Sequence, residues 1–150
     1  MGGALTVCGN VSPYAEANIS QDPEAADLLF KSGLPVTMVG LDVTLRTLFT
    51  KTDTQEWREL ATDAAKAYAD MVDYYIKAYE VTSPHLHGCA LHDPLAVAVA
   101  IDPSLVTTFP LNLKTEVEGL HEVGQSGIMP GWMIRKREQL SVSKLIHHAF

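Results

Sequence analysis

Short apolar runs alternate with amphipathic stretches along the chain, and Gly, Asn, Asp and Pro punctuate them. Residues 4–8 read A-L-T-V-C and stop at Gly9-Asn10. Such a run, with β-branched residues, predicts a buried strand of a parallel sheet. Residues 10–18 are polar and include Pro13, which predicts a loop. Asp22-Pro23 predicts a helix start, because the Asp side chain can accept from free N–H groups and Pro suits the first helical position. Ala25, Leu28 and Leu29 give that helix an apolar face, and Gly33 closes it as a left-handed cap. Residues 35–41 (P-V-T-M-V-G-L) predict a second strand, completing a parallel crossover unit. A short helix is expected over 43–51. Asp53 with Glu56 three residues later resembles a capping box. From Trp57, the apolar positions Leu60, Ala64, Ala67, Tyr68, Met71, Tyr75 and Ala78 recur at three and four, predicting one long amphipathic helix that ends near Tyr79. His92-Asp93-Pro94 opens a further helix, L-A-V-A-V-A-I, which is apolar on all sides and therefore expected to be buried. Asp102-Pro103 ends it. Residues 107–117 alternate loosely and read as a strand, in a hairpin with residues near 125–129. No element is predicted beyond Pro130.

The order β-α-β-α-α-β implies an α/β architecture, a mainly parallel, Rossmann-like sheet flanked by helices. Ligands of such sheets bind beyond the carboxyl ends of the strands. Two polar clusters, residues 10–18 and 42–44, lie just past predicted strand ends, and His92-Asp93 stands at a helix start on the same kind of edge.

Composition narrows the class. The 150 residues are 47% hydrophobic and 19% charged, which describes one compact soluble domain large enough to need no disulfide staples. Cys8 and Cys89 are expected to be reduced thiols, and no basic segment precedes an apolar stretch at the start, so a cytoplasmic protein is expected. No apolar run approaches the ~20 residues that span a bilayer. A net charge of −7 argues against nucleic acid or an anionic membrane as the main partner. The charge is uneven: Arg135, Lys136, Arg137 and Lys144 face only Glu138 in residues 131–150, which read as a divergent basic tail that need not be ordered. Residues 1–130 form the acidic remainder.

Three constellations carry candidate chemistry. Asn10, Glu16 and Asn18 set two amides and a carboxylate within one short loop, a set that can hydrogen-bond vicinal hydroxyls or simply satisfy its own backbone. His92-Asp93 can supply a proton donor beside a hard-cation ligand, or an N-cap beside a loop residue. His85, His87, Cys89 and His92 are ligand types for zinc, at a spacing that matches no common zinc module. There is no P-loop, no G-x-S-x-G elbow and no G-x-G-x-x-G, which weakens NTPase, α/β-hydrolase and dinucleotide-enzyme readings.

Three blocks together resemble the nucleoside hydrolase family of the inosine-uridine type: M-G-G-A-L-T-V-C-G-N-V-S-P-Y-A-E-A-N-I-S-Q-D-P-E-A-A, then P-V-T-M-V-G-L-D-V-T, then L-H-D-P-L-A-V-A-V-A-I-D-P-S-L-V-T-T. The resemblance implies hydrolysis of a ribonucleoside to ribose and a free base, with calcium as cofactor. It assigns Asp93 as a metal ligand, His92 as the catalytic group beside the leaving base, and Asn10, Glu16 and Asn18 as ribose-binding residues. Met1 aligns with a methionine that contacts the sugar. The chemistry is coherent. Breaking an N-glycosidic bond builds positive charge on the sugar and negative charge on the base, which carboxylates, amides and a nearby acid relieve.

The same resemblance sets a limit. The family begins with an aspartate-rich loop of pattern D-x-D-x-G-x-D-D, which supplies most calcium ligands, and nothing here matches it. Residues 1–130 correspond to the C-terminal half of such a domain, so the fold is expected to be incomplete. The G-Q-S-G-I-M-P-G-W block leads into the basic tail rather than a familiar strand and helix. The chain alone is expected to have little activity. A non-catalytic partner is the alternative, as a homo-oligomer or in association with a complete subunit.

Overall fold

A computed structural model describes residues 1–119, 124 and 126–128. The basic tail over 131–150 lies outside the described residues. The elements are α1 (Ala17–Gln21), α2 (Pro23–Lys31), α3 (Leu41–Thr44), β1 (Leu48–Phe49), α4 (Lys51–Glu59), α5 (Asp63–Thr82), β2 (Cys89–Ala90), α6 (Asp93–Ile101), β3 (Leu113–Thr115) and β4 (Ser126–Ile128). The chain divides into two compact units. One comprises Met1–Val43 with the residues from His92 onward, and the other is Thr44–Leu91.

The expected parallel sheet is corrected by this structure. The described strands form two separate two-stranded antiparallel sheets, β1 with β2 and β3 with β4. Residues 4–8 do not form a strand, because their amides are claimed by a side chain. Asp42 Oδ2 accepts from the Leu5 N–H at 2.9 Å, and Oδ1 accepts from the Thr6 N–H and hydroxyl at 2.6 Å each. Residues 35–40 approach the chain start in the same sense, with Gly2 N–H donating to Val39 C=O and Leu41 N–H to Gly3 C=O. Gly3, at φ +86°, turns the backbone between those two bonds. A left-handed residue there breaks the even spacing a parallel ladder needs. The hairpin expected over 107–117 and 125–129 is present in shortened form, Leu113 facing Ile128 and Thr115 facing Ser126.

Local start signals hold well in the first unit. Asp22 caps α2, its Oδ1 accepting from Ala25 N–H at 2.9 Å, with Pro23 at the first position. Gly33, at φ +76°, lies just past its end. Asp27 on α2 accepts from the Thr115 N–H at 3.1 Å, which ties β3 to that helix. The core gathers Val39 with Leu95 and Val99 of α6, and Val43, Ala96 and Val106 pack around them. Helix α6 is therefore not buried all round, since Val97 and Ile101 are exposed.

The second unit departs from expectation twice. The helix expected over 43–51 ends at Thr44, and Leu48–Phe49 pairs instead with Cys89–Ala90. The long helix is broken. Its capping box starts at Thr50, not at Asp53: Asp53 Oδ2 accepts from the Thr50 N–H at 2.7 Å. Helix α4 stops at Glu59, Ala61 adopts φ +56°, and Thr62 caps α5, accepting from Ala65 N–H at 3.1 Å. The apolar spacing continues through the break, so periodicity alone misses it. Helices α4 and α5 pack together. Arg58 bridges Asp70 and Asp73, and the buried Thr54 donates its hydroxyl to Asp73 at 2.7 Å.

Two outcomes test these assignments. Ala61→Gly is expected to raise stability by about 0.5–1 kcal/mol in urea denaturation, because Gly tolerates the left-handed backbone. In an unbroken helix the same change would lower stability by a similar amount. Asp42→Asn is expected to lower stability by about 1–2 kcal/mol at pH 7, discounted for partial exposure, since one amide N–H would face a donor. Burial pushes the Asp42 carboxyl up, but the Thr6 hydroxyl and the Leu5 and Thr6 amides more than offset this, so it lies below the usual range. A lowered folded value stabilises the protein above the ordinary carboxylate pKa, and that stabilisation is lost as pH falls through the folded value. The gap between wild type and Asp42→Asn should therefore close in acid; equal stability of the two at pH 7 would contradict the role.

Candidate functional site

The candidate site is built in the first unit, around a buried carboxylate. Glu16 is 2% exposed. It caps the single-turn helix α1, with Oε1 accepting from Asn18 N–H at 2.9 Å and Oε2 from Ile19 N–H at 3.1 Å. Oε2 also accepts from Gly3 N–H at 2.9 Å, which pins the chain start to the loop. A carboxylate fed by several backbone N–H groups can be buried without a cationic partner.

The loop before Glu16 closes on the Ala15 carbonyl, which accepts from Asn10, Val11 and Ser12 N–H groups. A Cβ on Gly9 would lie 2.0 Å from the Ala15 oxygen, so only glycine permits this closure. Asn10 is exposed, and its Oδ1 accepts from Ala17 N–H at 2.9 Å, leaving Nδ2 as a donor. Asn18 is also exposed. Its Nδ2 lies 3.3 Å from both the Met1 carbonyl and Met1 Sδ, leaving Oδ1 as an acceptor. One donor and one acceptor on either side of a buried anion can hydrogen-bond two hydroxyl groups, each of which both donates and accepts.

His92 and Asp93 stand at the start of α6, in the same unit as that loop. His92 occupies the N-cap position, and its carbonyl accepts from Ala96 N–H. It is half-buried. Burial pushes its imidazole below the ordinary histidine value, opposed by the charges of Asp93 and Glu16. His92 and Glu16 belong to the same unit despite their separation in sequence. Asp93 is exposed in the first turn of α6. All five predicted site residues therefore belong to one unit. Sequence reasoning missed the Gly3 amide and reduced Asp42 to part of a polar cluster. An Asp directly after the G-L end of an apolar run was the available signal.

The cation is a separate matter. Calcium takes six to eight oxygen ligands. No group of three or more His, Cys, Asp or Glu able to hold a metal ion occurs among the described residues. Glu16 and Asp42 spend their oxygens on backbone N–H groups, which leaves Asp93 as a single carboxylate at the helix start. The described residues do not fit a complete calcium site. The zinc reading of His85, His87, Cys89 and His92 is overturned by the same finding. Burial also pushes the Cys89 thiol up, which disfavours the thiolate a metal needs. A cleft of about 460 Å³ in the second unit includes His87, Lys51 and Glu80 in its lining but none of the five site residues.

Comparisons with known proteins bear on the family of the chain. The family model described as inosine-uridine preferring nucleoside hydrolase matches residues 1–146. A pyrimidine-specific ribonucleoside hydrolase RihA of Enterobacter sp. (strain 638) is 36% identical over 126 residues, covering 84% of this chain and 40% of the relative. The solved purine-preferring ribonucleoside hydrolase from Gardnerella vaginalis superposes with a TM-score of 0.83 at 63% identity, covering 87% of this chain and 41% of that one. A plant nucleoside hydrolase gives a TM-score of 0.77 at 28% identity over 96% of this chain and 44% of its own. The chain thus spans about 40% of the length of the curated relatives it matches. No helix among the described residues is long and apolar enough to cross a membrane. The family model covers nearly the whole chain, so the chain belongs to the inosine-uridine preferring nucleoside hydrolase family.

Proposed function

We propose that this chain supplies the ribose-binding and base-facing side of a ribonucleoside hydrolase, for a reaction that yields ribose and a free base. The observation that supports this reading is that Glu16, buried under backbone N–H groups, shares one unit with His92 and with the exposed Asn10 and Asn18. Asn10 Nδ2 and Asn18 Oδ1 orient the sugar hydroxyls. The Glu16 charge favours the positive charge that grows on the ring as the bond to the base stretches. His92 offers an N–H to the nitrogen of the departing base, where negative charge collects. Asp93 would offer a single carboxylate to a calcium ion. The remaining ligands must come from carboxylates outside the described residues, so the reading assigns this chain alone little turnover.

Base preference follows from degree of similarity. The relative named purine-preferring is 63% identical and the one named pyrimidine-specific is 36% identical, which favours a purine nucleoside as substrate. A cytoplasmic location remains part of the same proposal.

An NMR titration of the full chain tests the binding half of this reading. Added inosine should shift the side-chain amides of Asn10 and Asn18 and the His92 ring, saturably, with weaker effects from uridine. Unmoved signals at all three residues would overturn it. Base release from inosine in calcium buffer should stay at least about 10³-fold below that of a full-length relative, the scale expected when a metal cradle is missing. Turnover matching the relative would overturn the assignment of an incomplete site.

A further inference from the structure

Helix α1 is a single turn of five residues, Ala17–Gln21. A helix that short does not hold its own shape in water, so its neighbours must hold it. One brace is the chain start, through the Gly3 N–H on Glu16. A second comes from the hairpin of β3 and β4. Gly124 is buried, and its N–H donates to the Glu116 C=O at 2.9 Å, just past the Thr115–Ser126 pair. The hairpin is tied through β3 to α2, where Asp27 accepts from the Thr115 N–H at 3.1 Å.

Gly124 meets α1 at the two residues that bracket Glu16 and Asn18. A Cβ there would lie 2.9 Å from Ser20 Cα, 3.2 Å from Ser20 Cβ and 3.3 Å from Ala15 Cβ. Carbon atoms settle about 3.5–4.0 Å apart, so the backbone of α1 would have to move. All three atoms are fixed by the backbone, and no change of rotamer relieves the contact. Ala15 directly precedes Glu16, and the Ser20 N–H donates to the Glu16 C=O at 2.9 Å. A displacement at residues 15 and 20 is therefore carried to the residues between them.

Two glycines share the left-handed backbone, and only one makes this contact. Gly124 has φ +85° and Gly33 has φ +76°. Alanine is strained at both, because a left-handed backbone crowds any Cβ. At Gly33 the added carbon meets nothing within 4 Å. Gly33→Ala thus carries the strain without the contact.

On the ribose-binding reading proposed above, we infer that Gly124 is a positioning residue: its bare backbone seats the β3–β4 hairpin against Ala15 and Ser20, and thereby sets Glu16 and Asn18 for the sugar. It acts through α1, not by contact with the sugar.

Amide NMR of the full chain, with and without inosine, tests it. In the free chain, Gly124→Ala should shift the Gly3, Asn18 and Ile19 N–H signals, which report on Glu16, and Gly33→Ala should leave those three in place. Inosine should bind Gly124→Ala at least about fivefold more weakly than wild type, and Gly33→Ala within about twofold of it, since small displacements of binding groups weigh heavily. Asp27→Ala adds no bulk and covers the case in which Gly124→Ala fails to fold. It unties β3 from α2, and should speed hydrogen exchange at Asn18 and Ile19 at least about threefold relative to the α5 amides. Equal shifts or equal losses of affinity in the two glycine variants would overturn the proposal. So would unchanged exchange at Asn18 and Ile19 in Asp27→Ala. A wild-type chain that ignores inosine would overturn the ribose-binding reading, while the free-chain signals would still decide whether Gly124 sets α1.

Discussion

The geometry of the candidate site depends on a carboxylate that binds backbone. Glu16 lies out of water and is stabilised there by three N–H groups, from Gly3, Asn18 and Ile19. Those bonds join the chain start to α1, which carries Asn18 and follows the loop that carries Asn10. Removing one partner would leave a charge buried with too few donors, which costs far more than an ordinary surface contact. Asp42 repeats the device on the other side of the same segment, holding Leu5 and Thr6. Two acids of the predicted polar clusters are thus structural groups among the described residues.

That commitment shapes function. A site that breaks an N-glycosidic bond needs groups that tolerate positive charge on the sugar and a donor near the base. In the proposed reading Glu16 and His92, which belong to one unit, fill these two roles. A hard cation needs many free oxygens as well, and here Glu16 and Asp42 have already given theirs to amides, which leaves Asp93. Family membership and an incomplete cradle are therefore compatible, for a chain that covers about 40% of its curated relatives.

What was legible in the sequence follows how local each signal is. Asp22-Pro23 and Asp93-Pro94 mark real helix starts, because a cap and a proline act within one turn. Strands were misjudged at 4–8 and 35–41, since a ladder needs partners the local sequence does not name, and Asp42 took the first segment's amides instead. The break at Ala61 was hidden by apolar spacing that runs through it, although Thr62-Asp63 was a readable cap. The burial of α6 was overstated because composition says how apolar a helix is, not how many faces find neighbours. The site residues came from motif resemblance rather than from composition. Composition alone does not tell a loop that satisfies itself from one that binds sugar, and Glu16 belongs to both descriptions.

The central claim is that Glu16 and Asp42 serve the backbone and that the described residues leave the divalent-ion cradle unfinished. Calorimetric titration of calcium into the full chain at neutral pH tests it most directly. The account predicts no saturable heat below millimolar calcium. One equivalent bound at micromolar or tighter affinity, on the chain as given, would contradict it.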